Sequence, residues 1–383
     1  MRHTNRLAML LVLALTFCFA TGALAEGTFD VDILAEECFE ETLPEDDPGY
    51  WREMYEVESH NWRVIRNLPT AFETDSWKAC EKAGPAVMNV DPENIGEKEQ
   101  QKLLAFAEAR KGLVQVRDVA ECRWYIWGED MPTLEADGEL TFDNKSYDEP
   151  DFRPFLVPYL LEDQDAVKGN IIVVAGGGYH ERANKGEGYP VAEYFNGLNY
   201  NCYVLQRRVA PYSKENIWMD MQRSVRYLRY HAEELGLGGM DCLVGMGFSG
   251  GSGTVLGAVQ HLYGAVQPMI YDPDYIPDEI DAINSDMDAV CAMYGPNMDD
   301  QTEYKGMVTD NPNLPDMFIA GGQNDMYGAG NQCIVLAESL MEKTRLELHY
   351  FADAPHGFTL GIGNNNSPYW PSMFDAFLDR MER

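Results

Sequence analysis

The chain has 383 residues, room for one large α/β domain with an extension or for two modest domains. It carries 63 acidic against 29 basic side chains, a formal net charge of −34. Such a surface excludes nucleic acid, which binds through neutralisation of its phosphates by Lys and Arg, and it favours neutral over anionic substrates.

The first stretch, "MRHTNRLAMLLVLALTFCFATGALAEG", places Arg2 and Arg6 before the apolar run Leu7 to Ala20 and the small residues Ala23-Leu24-Ala25. Residues 1–25 therefore read as a secretory signal cut before Glu26, which implies an extracytoplasmic protein. Phe17 before Cys18 argues against a lipoprotein anchor. No later run reaches the ~20 apolar residues of a membrane span, so none is expected in the mature protein. Of eight cysteines, Cys18 falls in the signal and seven remain. They are widely spaced and form no C-x-x-C pair, so nothing suggests a zinc or redox motif. Cys202, Cys242 and Cys291 lie in apolar strand-like runs and read as buried small hydrophobes. Cys38, Cys80 and Cys122 are the trio placed for bridging.

Residues 26–115 form an acidic extension or a cap over the site. Its clear helix, "GEKEQQKLLAFAEARKG", puts Leu103, Leu104, Phe106 and Ala107 on one face and ends at Gly112. Residues 116–383 read as the catalytic domain. "CRWYIWG" and "RPFLVPYLLE" are strands, and Pro158 marks the second as an edge or a strand end. "GNIIVVAGGG", "NCYVLQRR", "DCLVGMG", "DAVCAMYG", "PDMFIAGG" and "RLELHYF" are further strands. Helices intervene at "YPVAEYFNGLN", "IWMDMQRSVRYLRYHAEELGL", Gly253 to Val259 and "NQCIVLAESLMEKT", and "PSMFDAFLDRME" ends the chain. In the second helix Met221, Val225, Leu228 and Ala232 form a sheet-facing stripe opposite Arg223, Arg226 and Arg229. The fold class predicted is α/β, a mostly parallel sheet with helices on both faces. Its reactive groups belong in loops at strand carboxyl ends, where "AGGGYHERANKG", "GMGFSGGSG" and "GGQND" lie.

"VGMGFSGGSG" supports two readings. Gly245, Gly247 and Gly250 spell a dinucleotide loop, and Gly247, Ser249 and Gly251 spell a turn that exposes a nucleophilic serine. A dinucleotide loop should follow the first strand of its unit, with an acidic residue about 20 positions on at a strand end. Here it comes late, and Asp272 lies in a Pro-rich acidic loop. The serine reading requires Ser, then Asp, then His, each after a strand. Asp325 follows "PDMFIAGGQN" and His356 follows "LELHYFADAP", whereas His349 sits mid-strand.

The chemistry assigns each residue a task. His356 takes the proton of Ser249 as it attacks, and Asp325 fixes the imidazole tautomer and stabilises the imidazolium. The oxyanion needs preorganised N–H donors, one from Gly250 and another from Gly177 or Gly178. Tyr179, His180 and Phe248 are candidate pocket residues. "YDPDYIPDEIDAINSD", residues 271–286, lacks the spacing of a calcium loop and reads as solvated surface.

At these residues the chain resembles the α/β-hydrolase superfamily, from roughly Cys122 to the C-terminus. "VVAGGGYHERANKGEGYPVAEYFNGLNYNCYVLQRRVAP" resembles the bacterial esterase and lipase branch that includes acetyl xylan esterases. Arg208, Ala210 and Pro211 fit that branch's pattern, while Arg207 stands where tyrosine is usual and Gly250 where alanine is usual. Ala175 replaces the histidine of the hormone-sensitive-lipase-like esterases, which argues against that branch. The resemblance implies a secreted carboxylic-ester hydrolase that removes acetyl or other short acyl groups from carbohydrate. No metal or organic cofactor is needed. A serine peptidase of the prolyl-oligopeptidase kind is the rival, although the space before Cys122 is too short for its propeller. A non-catalytic binding protein on the same scaffold is a third reading. The acyl chain and oligomeric state stay open.

Overall fold

The computed structural model describes residues 42–44, 46–66, 75–111, 123–128, 130–135, 140–143, 146–296, 304–361 and 365–381. The segment read as a signal, together with Cys38 and Cys122, lies outside them.

Eight strands make one sheet: β1 (Trp124–Tyr125), β2 (Phe155–Tyr159), β3 (Gly169–Val174), β4 (Tyr200–Gln206), β5 (Leu243–Phe248), β6 (Ala289–Met293), β7 (Asp316–Asn324) and β8 (Leu346–Pro355). Their spatial order is β1-β2-β4-β3-β5-β6-β7-β8. β2 alone runs against the others, antiparallel to both β1 and β4, and β3 to β8 are parallel. Pro158 is tolerated because β1 pairs only with Phe155 and Leu156, which leaves the outer side of β2 without a ladder beyond them.

Continuous apolar runs suit these strands because both faces of the sheet are covered. Ile172 and Val174 of β3 point into a core with α5 (Lys214–His231), α6 (Gly250–His261) and α7 (Ala329–Leu340). Ile171 and Val173 point the other way, toward α4 (Tyr189–Asn196) and α8 (Trp370–Leu378).

On α5 the stripe Met221, Val225 and Leu228 enters the core, while Ala232 falls just past the helix as its C-cap. The opposite face is not solvated. Arg223 and Arg226 are buried beneath the acidic run 271–286, which is largely exposed, as its solvated-surface reading expects, but turns Asp281 inward against them. Asp281 lies 3.1 Å from Arg223 Nη1 and 3.5 Å from Arg226 Nη1, and it accepts the Tyr275 hydroxyl at 2.6 Å. Asp278 takes Arg223 in a two-pronged pair. Buried guanidinium groups need such partners, and this loop provides them.

Among the described residues, three helices precede the sheet: α1 (Tyr50–Arg66), α2 (Asp75–Val87) and α3 (Glu97–Lys111). They share a core of Met54, Trp62, Ile65, Cys80, Leu103 and Phe106. Gly84 lets α2 approach α1, since a Cβ there would sit 2.2 Å from the Trp62 ring. Leu104 was expected on the apolar face of α3 but is 48% exposed. A step of about 100° per residue carries it off the arc shared by 103, 106 and 107. Cys80 is not a bridging residue. It is a free thiol inside this core, pushed up to about 12 by burial. Cys202, Cys242, Cys291 and Cys333 are also buried and form no disulfide.

Candidate active site

Backbone contacts fix glycine at two positions around the turn after β5, 247 and 251. Gly245 lies within the strand, where a Cβ would come 2.6 Å from Met287 Sδ and 2.7 Å from Val255 Cγ1, so it is a packing glycine and not a phosphate-loop turn. At Gly247 a Cβ would lie 2.4 Å from Gly251 O, and at Gly251 one would lie 2.0 Å from Val174 O. These contacts press the start of α6 against β5 and β3. Between them Ser249 adopts φ 51° and ψ −118°, a strained geometry for a residue with a side chain, and its N–H donates to Met293 O at 3.0 Å. The dinucleotide reading fails on this geometry, and Asp272 accepts the N–H of Thr133 as a loop-former.

Strand register then brings distant residues to the same edge. Asn324 of β7 pairs with Pro355 of β8, so the next residues along, Asp325 and His356, emerge side by side. Asp325 Oδ2 lies 2.7 Å from His356 Nδ1, and His356 Nε2 lies 2.9 Å from Ser249 Oγ. Asp325 Oδ1 accepts the N–H of Tyr327 at 2.9 Å, which holds the buried carboxylate in place. Ser249 is 8% exposed, so the hydroxyl is sheltered without being sealed. His349 stays in the strand with its ring 4.7 Å from that of Phe318.

The glycine loop after β3 runs beside this serine. Gly177, Gly178 and Tyr179 all take positive φ, at 106°, 59° and 66°. Gly177 folds against the Glu181 carbonyl, while Gly178 borders open space. A Cβ on Gly250 would lie 3.1 Å from Gly178 N, so the first turn of α6 and the loop are in contact. Among the described residues, neither Gly178 nor Gly250 donates its N–H to a backbone carbonyl. Arg207 supports the loop from below, with Nη2 3.4 Å from Ala175 O and 3.3 Å from Gly176 O. Burial lowers its guanidinium to about 10.

The three candidate pocket residues have different surroundings. Phe248 is fully buried between Tyr294 and Trp370 and presents no surface to a pocket. Its side chain shares a sheet face with Met246, as strand alternation requires. Tyr179 packs its hydroxyl against Gly253 at the start of α6. His180 is exposed and lines a cavity of about 590 Å³ with Gly177, Arg182, Lys185 and, from the preceding helices, Trp62 and Arg66. This cavity does not include Ser249, His356 or Asp325, so it is a neighbour of the relay and not its mouth.

Three residues near the relay were missed in the sequence. Tyr294 follows β6 and sets its ring 5.0 Å from that of His356. Its position at a strand carboxyl end was the available signal. Tyr327, two residues after Asp325, is 50% exposed and lies edge-on to His356 at 4.8 Å. Glu187 is buried beneath the glycine loop, and its place between two glycines before α4 gave no periodic signal.

The strand order, the lone antiparallel β2 at the start and a serine at the β5–α6 turn decide the architecture. This is the α/β-hydrolase fold. An acetyl ester-xyloside bifunctional hydrolase from Caldicellulosiruptor lactoaceticus shares it at 22% identity and TM-score 0.52, over 68% of this chain and 96% of that one. Weaker likenesses include a thermophilic esterase from the planctomycete Thermogutta terrifontis, with 20% identity, 60% and 88% coverage and TM-score 0.47. Another is an α/β hydrolase from a Medee basin deep-sea metagenome, with 19% identity, 59% and 92% coverage and TM-score 0.46. No protein-family model matches the chain, and no curated protein matches it. Among the described residues, no helix of this α/β-hydrolase fold is long and apolar enough to cross a membrane.

Proposed function

We propose that the chain is a serine carboxylic-ester hydrolase working through an acyl-enzyme. The observation that carries this reading is the unbroken relay from Ser249 Oγ to His356 at 2.9 Å and on to Asp325 at 2.7 Å. Ser249 Oγ attacks the ester carbonyl carbon while His356 Nε2 accepts its proton, and Asp325 stabilises the imidazolium so formed. The tetrahedral oxyanion is held by the N–H groups of Gly250 and Gly178, the latter being the loop glycine that borders open space. The positive end of α6 adds to that hold. Collapse expels the alcohol, which takes the proton from His356. Water, deprotonated by His356, then attacks the acyl-Ser249 ester and releases the acid.

Short acyl esters of neutral, carbohydrate-like alcohols are the proposed substrates. The acidic surface disfavours anions, and the Caldicellulosiruptor protein of the same fold is described as an acetyl ester-xyloside hydrolase. Within the extension, α1 and α2 supply one wall of the neighbouring cavity whose other wall is the glycine loop, which supports a cap placed beside the relay. Ser249→Ala is expected to lower p-nitrophenyl acetate hydrolysis by about 10³-fold or more while leaving the unfolding transition in place. Retained activity would contradict the mechanism. Comparing acetylated sugars with aminoacyl nitroanilides separates the esterase from the peptidase: turnover of the nitroanilides alone would favour the latter. Secretion is part of the proposal, and N-terminal sequencing of exported protein is expected to begin at Glu26.

A further inference from the structure

Glu187 is a buried acid that the relay itself does not use. It sits in the π turn Asn184–Gly188, between the glycine loop and α4. Its oxygens reach two separate parts of the site. Oε2 accepts the N–H of Gly176 at 2.8 Å, at the head of the Gly177–Gly178 segment. Oε1 accepts the hydroxyl of Tyr294 at 2.9 Å, and the Tyr294 ring lies edge-on to His356. Gly176 has to be glycine here, since a Cβ would fall 2.6 Å from Glu187 Oε2 and 3.0 Å from Ser249 Cβ. The carboxylate is therefore wedged directly behind the elbow. A Cβ on Gly357, next to His356, would lie 4.0 Å from Oε1.

The polar groups around it come from four directions. Tyr294 comes from the end of β6, Arg207 from the end of β4, and His356 from the loop after β8. Thr359 adds a hydroxyl 3.5 Å from that of Tyr294. Lys185, on the same turn as Glu187, is paired outward with Glu81 at 2.8 Å. Burial raises the Glu187 carboxyl above the usual carboxylate range, and the Gly176 N–H, the Tyr294 hydroxyl, His356 and Arg207 oppose that rise. Both donors bind the carboxyl through acceptor oxygens, so they limit the rise, although burial outweighs them.

We propose that Glu187 is a positioning residue of this site: its carboxylate ties the oxyanion loop, through Gly176, to the tyrosine that backs His356, and keeps a second negative charge behind the imidazole. The proposal rests on the serine-hydrolase reading. Asp325 holds the imidazole from Nδ1, and Glu187 stabilises the same imidazolium through Tyr294 from another side. In a water-poor interior that charge is screened less than at the surface. Because the same carboxylate holds Gly176, the oxyanion donors and the general base are braced against one group.

Glu187→Gln, Glu187→Ala and Tyr294→Phe test it, with steady-state hydrolysis of p-nitrophenyl acetate followed between about pH 5 and pH 9. Glu187→Gln is expected to lower kcat by about tenfold to a hundredfold, with KM held within about threefold. Its acid limb of kcat/KM moves to lower pH, because an imidazolium with one anion fewer behind it gives up its proton more readily. Glu187→Ala loses more, since glutamine still offers a carbonyl to Gly176. Tyr294→Phe keeps the charge, so kcat falls while the acid limb moves less. A Glu187→Gln kcat within twofold of the wild type, with the limb unmoved, overturns the proposal. So does a kcat loss with an unmoved limb that simply follows a fall in Tm, which leaves Glu187 as scaffold. If Glu187→Gln does not fold, wild-type kcat in Tyr294→Phe overturns it. An inactive Ser249→Ala beside a fully active Glu187→Gln sinks this proposal alone, whereas an active Ser249→Ala sinks the reading beneath it.

Discussion

The role proposed for Asp325, orienting His356, calls for a carboxylate held in place, and both of its oxygens are bonded. One oxygen takes His356 Nδ1 and the other the Tyr327 N–H. Asp325→Asn keeps the shape but favours the wrong imidazole tautomer, so kcat on p-nitrophenyl acetate should fall by about 10⁴-fold with little change in KM. A loss below about tenfold in steady-state assays would mean that Asp325 has no such role. These three residues were legible in the sequence because each follows a strand and chain order leaves few alternatives. Glu187 was not, because a single acid in an irregular turn gives no periodic signal, and its partners Gly176 and Tyr294 are joined to it only by the fold. Phe248 was misread for a different reason. It flanks Ser249 in sequence, but strand alternation turns it into the core beside Met246.

At the scale of elements, the contact between α6 and the strands sets the elbow. Gly251→Ala would drive a methyl to 2.0 Å from the Val174 carbonyl, a backbone atom with no flexible side chain to yield. The expected cost is about 3 kcal/mol of stability, measured as a lowered urea midpoint. An unchanged midpoint would contradict this packing. Apolar runs and helical stripes revealed the strands and α-helices of the sheet region, down to the stripe of Met221, Val225 and Leu228. They could not reveal what covers the other face of α5. Asp278 and Asp281 lie more than fifty residues beyond Arg223, and only the tertiary fold converts an acidic run into ion-pair partners for buried guanidinium groups. Leu104 marks the limit of counting apolar residues without weighing their angle around the helix.

For the whole molecule, alternating strands and helices implied a covered parallel sheet, but periodicity carries no strand order. The order comes from crossovers that set β5 between β3 and β6. Nor could the sequence locate the preceding helices, which stand beside the glycine loop through contacts such as Arg63 with Glu149 at 2.5 Å and Lys185 with Glu81. Everything functional in this account depends on one activated hydroxyl among the many of the chain. The most direct measurement is fluorophosphonate labelling of the whole protein, followed by intact mass and peptide mapping. One adduct per chain, on Ser249, and its disappearance in His356→Ala, is the result expected. Labelling at another residue, or none in folded protein, would contradict the account.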